Sequence, residues 1–219
     1  MDIMKKITLT FDNGPTPGIT ERILDILEKR GIKATFFVVG KQLKQPEGSA
    51  LLDDIVAAGH WVGNHSLTHS IAFGDSKERG YAVREISETE ALIGERGARA
   101  PLFRPFGNFG KLGPHLLNEE ALAYLLAHEF TCVSWNSVPH DWDDQEHWVE
   151  RCLADVERQD WTVVVLHDIE NAALGRLVEL LDQLQHQQVQ FVQAFPDDVV
   201  LLRGGHVVSL QPSYVAGRA

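Results

Sequence analysis

Apolar and polar positions switch between two periods along this chain, and the switching repeats from end to end. Lys6-Ile7-Thr8-Leu9-Thr10-Phe11 is a β-favourable run that stops at the turn signal Asp12-Asn13-Gly14-Pro15. Residues 17–30 then place Ile19, Ile23, Ile26 and Leu27 at helical spacing and end before Gly31. Residues 33–39 predict a second strand closed by Gly40, followed by a helix over 49–58 and a short strand over 60–63. The same rhythm predicts helices near 76–96, 114–128, 145–158 and 170–187. They lead to strands at 102–104, 130–135, 162–166 and 189–192. Strands near 199–202 and 206–210, joined by Gly204-Gly205, predict a terminal hairpin.

Continuous apolar strands such as Val163-Val164-Val165-Leu166, alternating with helices, imply a parallel sheet covered on both faces. The class is α/β, and the pattern admits an open doubly wound sheet or a closed barrel. No GxGxxG or GxxxxGK[ST] follows the first strand, so dinucleotide and P-loop readings fail. With 219 residues, 44% hydrophobic and 23% charged, the chain reads as one domain over 1–219. That length buries roughly 70% of the unfolded surface without staples.

Charge narrows the partners. The 31 acidic and 20 basic side chains give a net charge of −11, which argues against nucleic acid and against anionic lipid. The expected partner is a small molecule or a glycan. Cys132 and Cys152 show no CxxC pattern and read as buried thiols. Residues 1–8 lack the apolar core of a signal peptide, and no run approaches the ~18 residues of a membrane span. The chain as given therefore reads as cytoplasmic.

Four polar clusters fall just after strands, where barrels and open α/β sheets place their sites. Asp12-Asn13 supplies either a base or metal ligand, or only an Asx-turn. His65 and His69, at i and i+4 of a helical turn, can share one divalent ion but need a third ligand; chance spacing is the alternative among ten histidines. Arg104-Pro105-Phe106-Gly107 can orient a carboxylate and aim backbone N–H groups at a substrate oxygen, or form a plain surface turn. His167, ending the most apolar strand, suits general-acid work or a structural role. Trp135, Trp142 and Trp148 can floor a sugar site or pack a core.

In order, Thr10-Phe11-Asp12-Asn13-Gly14-Pro15, Asn64-His65-Ser66-Leu67-Thr68-His69, Phe103-Arg104-Pro105-Phe106-Gly107, Asp141-Trp142 and Leu166-His167 form a motif series. The series resembles the polysaccharide deacetylase family, the NodB-homology or carbohydrate esterase 4 group, over about residues 5–195. The resemblance implies a distorted (β/α) barrel of about seven parallel strands that removes acetyl groups from N-acetylated sugars. It implies Asp12 as general base, and Asn13, His65 and His69 as ligands of a divalent metal, usually zinc. Arg104 would orient the base, a backbone N–H near Phe106 would bind the oxyanion, and His167 would protonate the leaving amine. Trp135, Asp141 and Trp142 are the candidate substrate contacts.

Three departures stand against the pattern. Asn13 replaces an aspartate and removes one charge from the metal site. A single proline, Pro105, separates Arg104 from Phe106 where the family usually has two. Val138 stands where the family has an aspartate three residues before Asp141, so His167 is expected to lack its usual partner unless Asp141 or Asp168 substitutes. Two alternatives follow: an allantoinase-like hydrolase of a small ureide or amide with weak or no metal, and a catalytically impaired carbohydrate-binding homologue.

Overall fold

A computed structural model describes residues 4–97 and 100–218 of the chain. The first strand, β1 (Lys6–Asp12), sets its geometry. Ile7, Leu9 and Phe11 join a buried cluster with helix residues such as Ile23, Leu27 and Leu181. The intervening Thr8, Thr10 and Asp12 are buried as well. They point into the curled sheet, because successive strand side chains face opposite ways. Thr10 Oγ1 donates to the Val164 carbonyl (2.5 Å) and Thr8 Oγ1 to that of Ala194 (2.6 Å), so this polar face is satisfied by the protein itself.

On one side of β1 follow β2 (Thr35–Val38), β3 (Trp61–Asn64), β4 (Leu102–Phe103) and β5 (Thr131–Val133); on the other lies β6 (Trp161–His167). All of these pair in parallel. A further parallel strand, β7 (Gln190–Phe191), pairs with Lys6 and Ile7 of β1, leaving Thr10–Asp12 to β2. Among the described residues seven strands are thus parallel, as expected. Antiparallel to β5 runs β8 (Val200–Arg203), which turns back as β9 (His206–Val207) to make the expected hairpin, with a shorter second arm. Beyond β5 the chain bridges Ser137 to Val164 of β6, and the Val165 N–H donates to the Ser137 carbonyl at 3.0 Å. This irregular seam distinguishes a distorted barrel from an open sheet.

Among the described residues seven helices cover the sheet: α1 (Thr20–Glu28), α2 (Gly40–Leu43), α3 (Pro46–Ala57), α4 (Tyr81–Ile93), α5 (Glu119–Ala127), α6 (Trp148–Arg158) and α7 (Leu177–His186). Three, α4, α5 and α7, start at least five residues later than the periodicity predicts. Gly80, at φ +81°, turns the chain into α4. Asn118 caps α5 by accepting the Ala121 N–H at 2.8 Å. Before α7 the chain passes through Asn171 at φ +53° and a short 3-10 turn. By contrast α3 starts early, at Pro46, a residue preorganised for the first helical position. Among the described residues no helix is long and apolar enough to cross a membrane, and both cysteines are buried free thiols.

Phe36 is fully buried, stacked on Phe11 at 5.0 Å and edge-on to His60 at 5.3 Å. Phe36→Ala is expected to lower unfolding free energy by about 3–5 kcal/mol in urea denaturation. A loss below about 1 kcal/mol would show that this wall is not packed as described.

Candidate active site

Strand register brings the chemistry together. Asp12 ends β1 directly opposite His167, the last residue of β6. Next along the sheet, β3 ends immediately before His65 and β4 immediately before Arg104. Residues far apart in sequence therefore meet at the carboxyl ends of adjacent parallel strands.

Arg104 is fully buried. One terminal nitrogen donates to Asp12 Oδ1 at 2.9 Å and to Thr10 Oγ1 at 2.6 Å; the other reaches the Ser134 carbonyl at 3.2 Å. The guanidinium also lies 4.1 Å over the Phe37 ring. Burial pushes its pKa down, and the charge and hydrogen bond of Asp12 oppose that shift. The plain surface turn is thereby replaced by a buried anchor. Nor does Asp12 make an Asx-turn: Oδ1 faces Arg104, and Oδ2 lies 3.6 Å from His65 Nε2.

His65 Nδ1 lies 2.8 Å from the Arg104 carbonyl. A carbonyl only accepts, so Nδ1 carries the proton and the Nε2 lone pair faces Asp12. Burial lowers the His65 pKa to about 3, and burial with the neighbouring His65 lowers that of His69 to about 3. Both rings are neutral at pH 7, with centroids 4.9 Å apart. They meet without the helical turn expected for residues 65–69. Ser66 and His69 have positive φ (+70° and +52°), and the segment is an irregular loop. The cause is Glu85 of α4, whose carboxylate accepts the N–H groups of Leu67 (3.1 Å) and Thr68 (2.8 Å) and the Thr68 hydroxyl (3.0 Å). These N–H groups are taken by a side chain and cannot build a helix.

His167 has a partner after all. Its Nδ1 lies 2.8 Å from Asp141 Oδ1, while Asp141 Oδ2 accepts the His167 backbone N–H at 2.8 Å. Asp141 is fully buried, so it holds the histidine and is not a surface for substrate, correcting the expected contact. The absence of an aspartate at Val138 leaves no gap. Burial lowers the His167 pKa, but the hydrogen bond and charge of Asp141, with Asp12 and Asp168 nearby, outweigh it; the net shift is upward. Asp168 is engaged elsewhere, accepting from the Gly14 N–H (2.9 Å) and the Thr20 hydroxyl (2.7 Å).

Asp12, His65, His69 and His167 line a cleft of about 490 Å³ that also includes Asn13, Phe106, Trp135, Trp142 and Val138. The Trp142 ring stands edge-on to His167 at 4.5 Å, and Trp135 Nε1 donates to the Gly110 carbonyl at 2.8 Å. Both tryptophans expected at the site are there, whereas Trp148 is a core residue. The Phe106 ring covers His69 with centroids 4.1 Å apart. Among the described residues no three His, Cys, Asp or Glu side chains converge as a ligand set. A third donor must be of another type. Asn13 Oδ1 is buried without a hydrogen-bond partner, an atom that calls for an electropositive neighbour. Asn13, His65 and His69 line the same cleft and would together suit a borderline divalent ion.

The family model for polysaccharide deacetylases matches residues 3–120. The chain belongs to the polysaccharide deacetylase family. It is 29% identical over 194 residues to a peptidoglycan-N-acetylglucosamine deacetylase of Bacillus cereus, covering 86% of this chain and 85% of that protein. It is 31% identical over 192 residues to the peptidoglycan-N-acetylmuramic acid deacetylase PdaC of Bacillus subtilis, covering 86% of this chain but 38% of that longer protein. Among solved structures, a family 4 acetyl xylan esterase of Clostridium thermocellum in complex with a cobalt ion superposes with a TM-score of 0.68, at 28% identity over 86% of this chain and 87% of that one. The distorted α/β barrel is thus shared with that structure.

Sequence reasoning missed Glu85. Its signal was there: Tyr81, Ala82, Glu85, Ile86, Thr89 and Ile93 form the buried face of α4, and a carboxylate on such a face needs donors. Asp141→Asn is expected to bring the His167 pKa down, read by NMR titration of the ring. Because that pKa is raised on folding, its stabilisation is complete below about pH 6.5 and is lost as pH rises through the folded value. The variant should lose this acid-side stabilisation. An unchanged His167 titration would remove Asp141 as its partner.

Proposed function

We propose that the chain is a hydrolase of non-peptide C–N bonds that removes the acetyl group from an N-acetylated sugar. The observation that carries this reading is the placement of Asp12, fixed by Arg104, opposite a His167 fixed by Asp141, in one cleft. Asn13 Oδ1, His65 Nε2 and His69 would hold a divalent ion, with zinc the best match to two imidazoles and one oxygen. When bound, such an ion supplies Lewis acidity toward the acetyl carbonyl and acidifies water.

The protein's own groups do the rest. Asp12 takes the proton of the attacking water, and Arg104 aims its carboxylate. The backbone N–H of Phe106 is the proposed donor to the oxyanion. His167, with Nδ1 tied to Asp141, presents Nε2 to the amine nitrogen. An amine leaves poorly until protonated, and a raised His pKa keeps that proton available near neutrality. Trp135 and Trp142 provide flat apolar walls for a sugar ring.

Asn13 favours a second reading, a weakly metal-bound hydrolase of a small ureide or amide, because a neutral amide attracts a dication less than a carboxylate does. The catalytically impaired alternative loses its motive, since Asp141 occupies the role thought vacant at Val138. Acetate release from N-acetylglucosamine oligomers with added zinc, beside a panel of cyclic ureides, separates the two hydrolases. Asp12→Ala is expected to reduce turnover by about 10³-fold; full activity would remove Asp12 as the base. Asn13→Asp is expected to tighten zinc binding by at least about tenfold in a competition titration. Unchanged affinity would exclude Asn13 as a ligand.

A further inference from the structure

Glu85 of α4 is buried yet does not line the cleft. Its carboxylate faces the loop that carries both candidate ligand histidines. The N–H groups of four consecutive residues in that loop, Ser66 to His69, all donate to side chains. Asn64 Oδ1 takes the Ser66 N–H at 3.0 Å, Glu85 Oε2 takes those of Leu67 and Thr68, and Ser66 Oγ takes that of His69 at 3.1 Å. The Ser66 and Leu67 carbonyls accept from the Gly40 and Lys41 N–H groups, at 2.9 and 2.8 Å. Helix α4 also holds both ends of the loop. Asn64 donates to the Ile86 carbonyl at 2.9 Å, and the Tyr81 hydroxyl accepts the Ile71 N–H at 3.1 Å. Glu85 is the middle clamp.

The two histidines are steered differently. The Arg104 carbonyl orients the His65 ring directly. Among the described residues the His69 ring hydrogen-bonds to no other residue, and its ring neighbours are His65 and Phe106. The direction of that ring therefore follows from its backbone, which sits at φ +52° with Ser66 at +70°. Such conformations persist in non-glycine residues where the surroundings hold them. Without an acceptor at Glu85, the Leu67 and Thr68 N–H groups would be buried donors with no partner. Opening toward water, or closing a turn of helix, would satisfy them. Either change relieves the positive φ angles and shifts His69 away from a His65 that Arg104 keeps in place.

We propose that Glu85 is the positioning residue of the candidate metal site, holding from outside the cleft the loop shape that turns His69 toward His65. The inference rests on the reading of His65 and His69 as ligands. Glu85 touches no ion itself; it acts through the Leu67 and Thr68 backbone, and its effect is on metal affinity before it is on turnover.

The test is a zinc competition titration of the full chain and its variants, with urea unfolding beside it. Glu85→Leu removes the acceptor at similar size, and zinc affinity is expected to fall about ten- to hundred-fold. Glu85→Gln is expected to restore most of it. Its amide oxygen can take the place of Oε2, while its amide nitrogen donates to the Thr68 hydroxyl. Leu181→Ala, a core truncation in α7 that breaks none of the loop's hydrogen bonds, is expected to lower the urea midpoint and leave zinc affinity unchanged. Unchanged affinity in Glu85→Leu, or an equal fall in Leu181→Ala, overturns the proposal. Should Glu85→Leu not fold, Glu85→Asp decides. Its carboxylate is withdrawn by one methylene, so affinity is expected to fall, and unchanged affinity overturns the proposal. His69→Ala separates this inference from the reading beneath it. If His69→Ala weakens zinc binding and the Glu85 variants do not, the positioning role fails alone. If His69→Ala binds zinc as tightly as before, the ligand reading fails and the positioning role fails with it.

Discussion

Arg104 and Asp12 form an ion pair with side chains 0% and 4% exposed, and much of the site depends on it. A guanidinium cannot shed its proton, so its burial has to be compensated in place. Asp12, the Thr10 hydroxyl, the Ser134 carbonyl and the Phe37 face supply that compensation. Removing one partner of such a pair costs about 3–5 kcal/mol, because it leaves a buried charge alone. The same residue acts a second time through its backbone, since its carbonyl fixes the tautomer and plane of His65. One position thus sets the direction of the proposed base and of a candidate metal ligand. That coupling explains why an arginine belongs at the end of β4 inside a barrel whose first strand alternates apolar residues with threonines.

The fold was largely legible because its signals are local. Continuous apolar runs marked β2 and β6, an alternating β-favourable run marked β1, and Gly204-Gly205 marked the hairpin. Barrel and open sheet could not be separated, because closure depends on the pairing of Ser137 with Val164, a contact that no periodicity encodes. Helix starts were placed early wherever an apolar pattern ran past a cap or a positive-φ residue, as at Asn118 and Gly80. The His65–His69 loop was misread for a related reason. Its i, i+4 spacing suits a helix, but Glu85, sixteen or more residues onward, takes the N–H groups such a turn would use.

At the site, residue types were readable and partnerships were not. Asp12, Asn13, His65, His69, Trp135, Trp142 and His167 all line one cleft, and Arg104 is buried behind Asp12. Asp141 was placed against substrate, yet it lies behind His167, because the loop after β5 folds inward before α6. Val138 looked like a loss when compared with the family pattern. In the folded chain it is a packing residue against Gly110. The departure that keeps its weight is Asn13, whose amide oxygen is buried without a partner beside two neutral histidines. Its φ of +81° is a conformation that Asn and Asp tolerate better than most side chains, so the backbone does not explain the exchange of one for the other.

The account comes down to whether these donors hold an ion next to the aspartate that Arg104 aims. Anomalous diffraction at the zinc edge, from crystals grown with zinc, tests this most directly. The expected result is a strong peak bonded to His65 Nε2, His69 and Asn13 Oδ1, beside the Asp12 carboxylate. An empty cleft at saturating zinc, or an ion bound without these three residues, would contradict it.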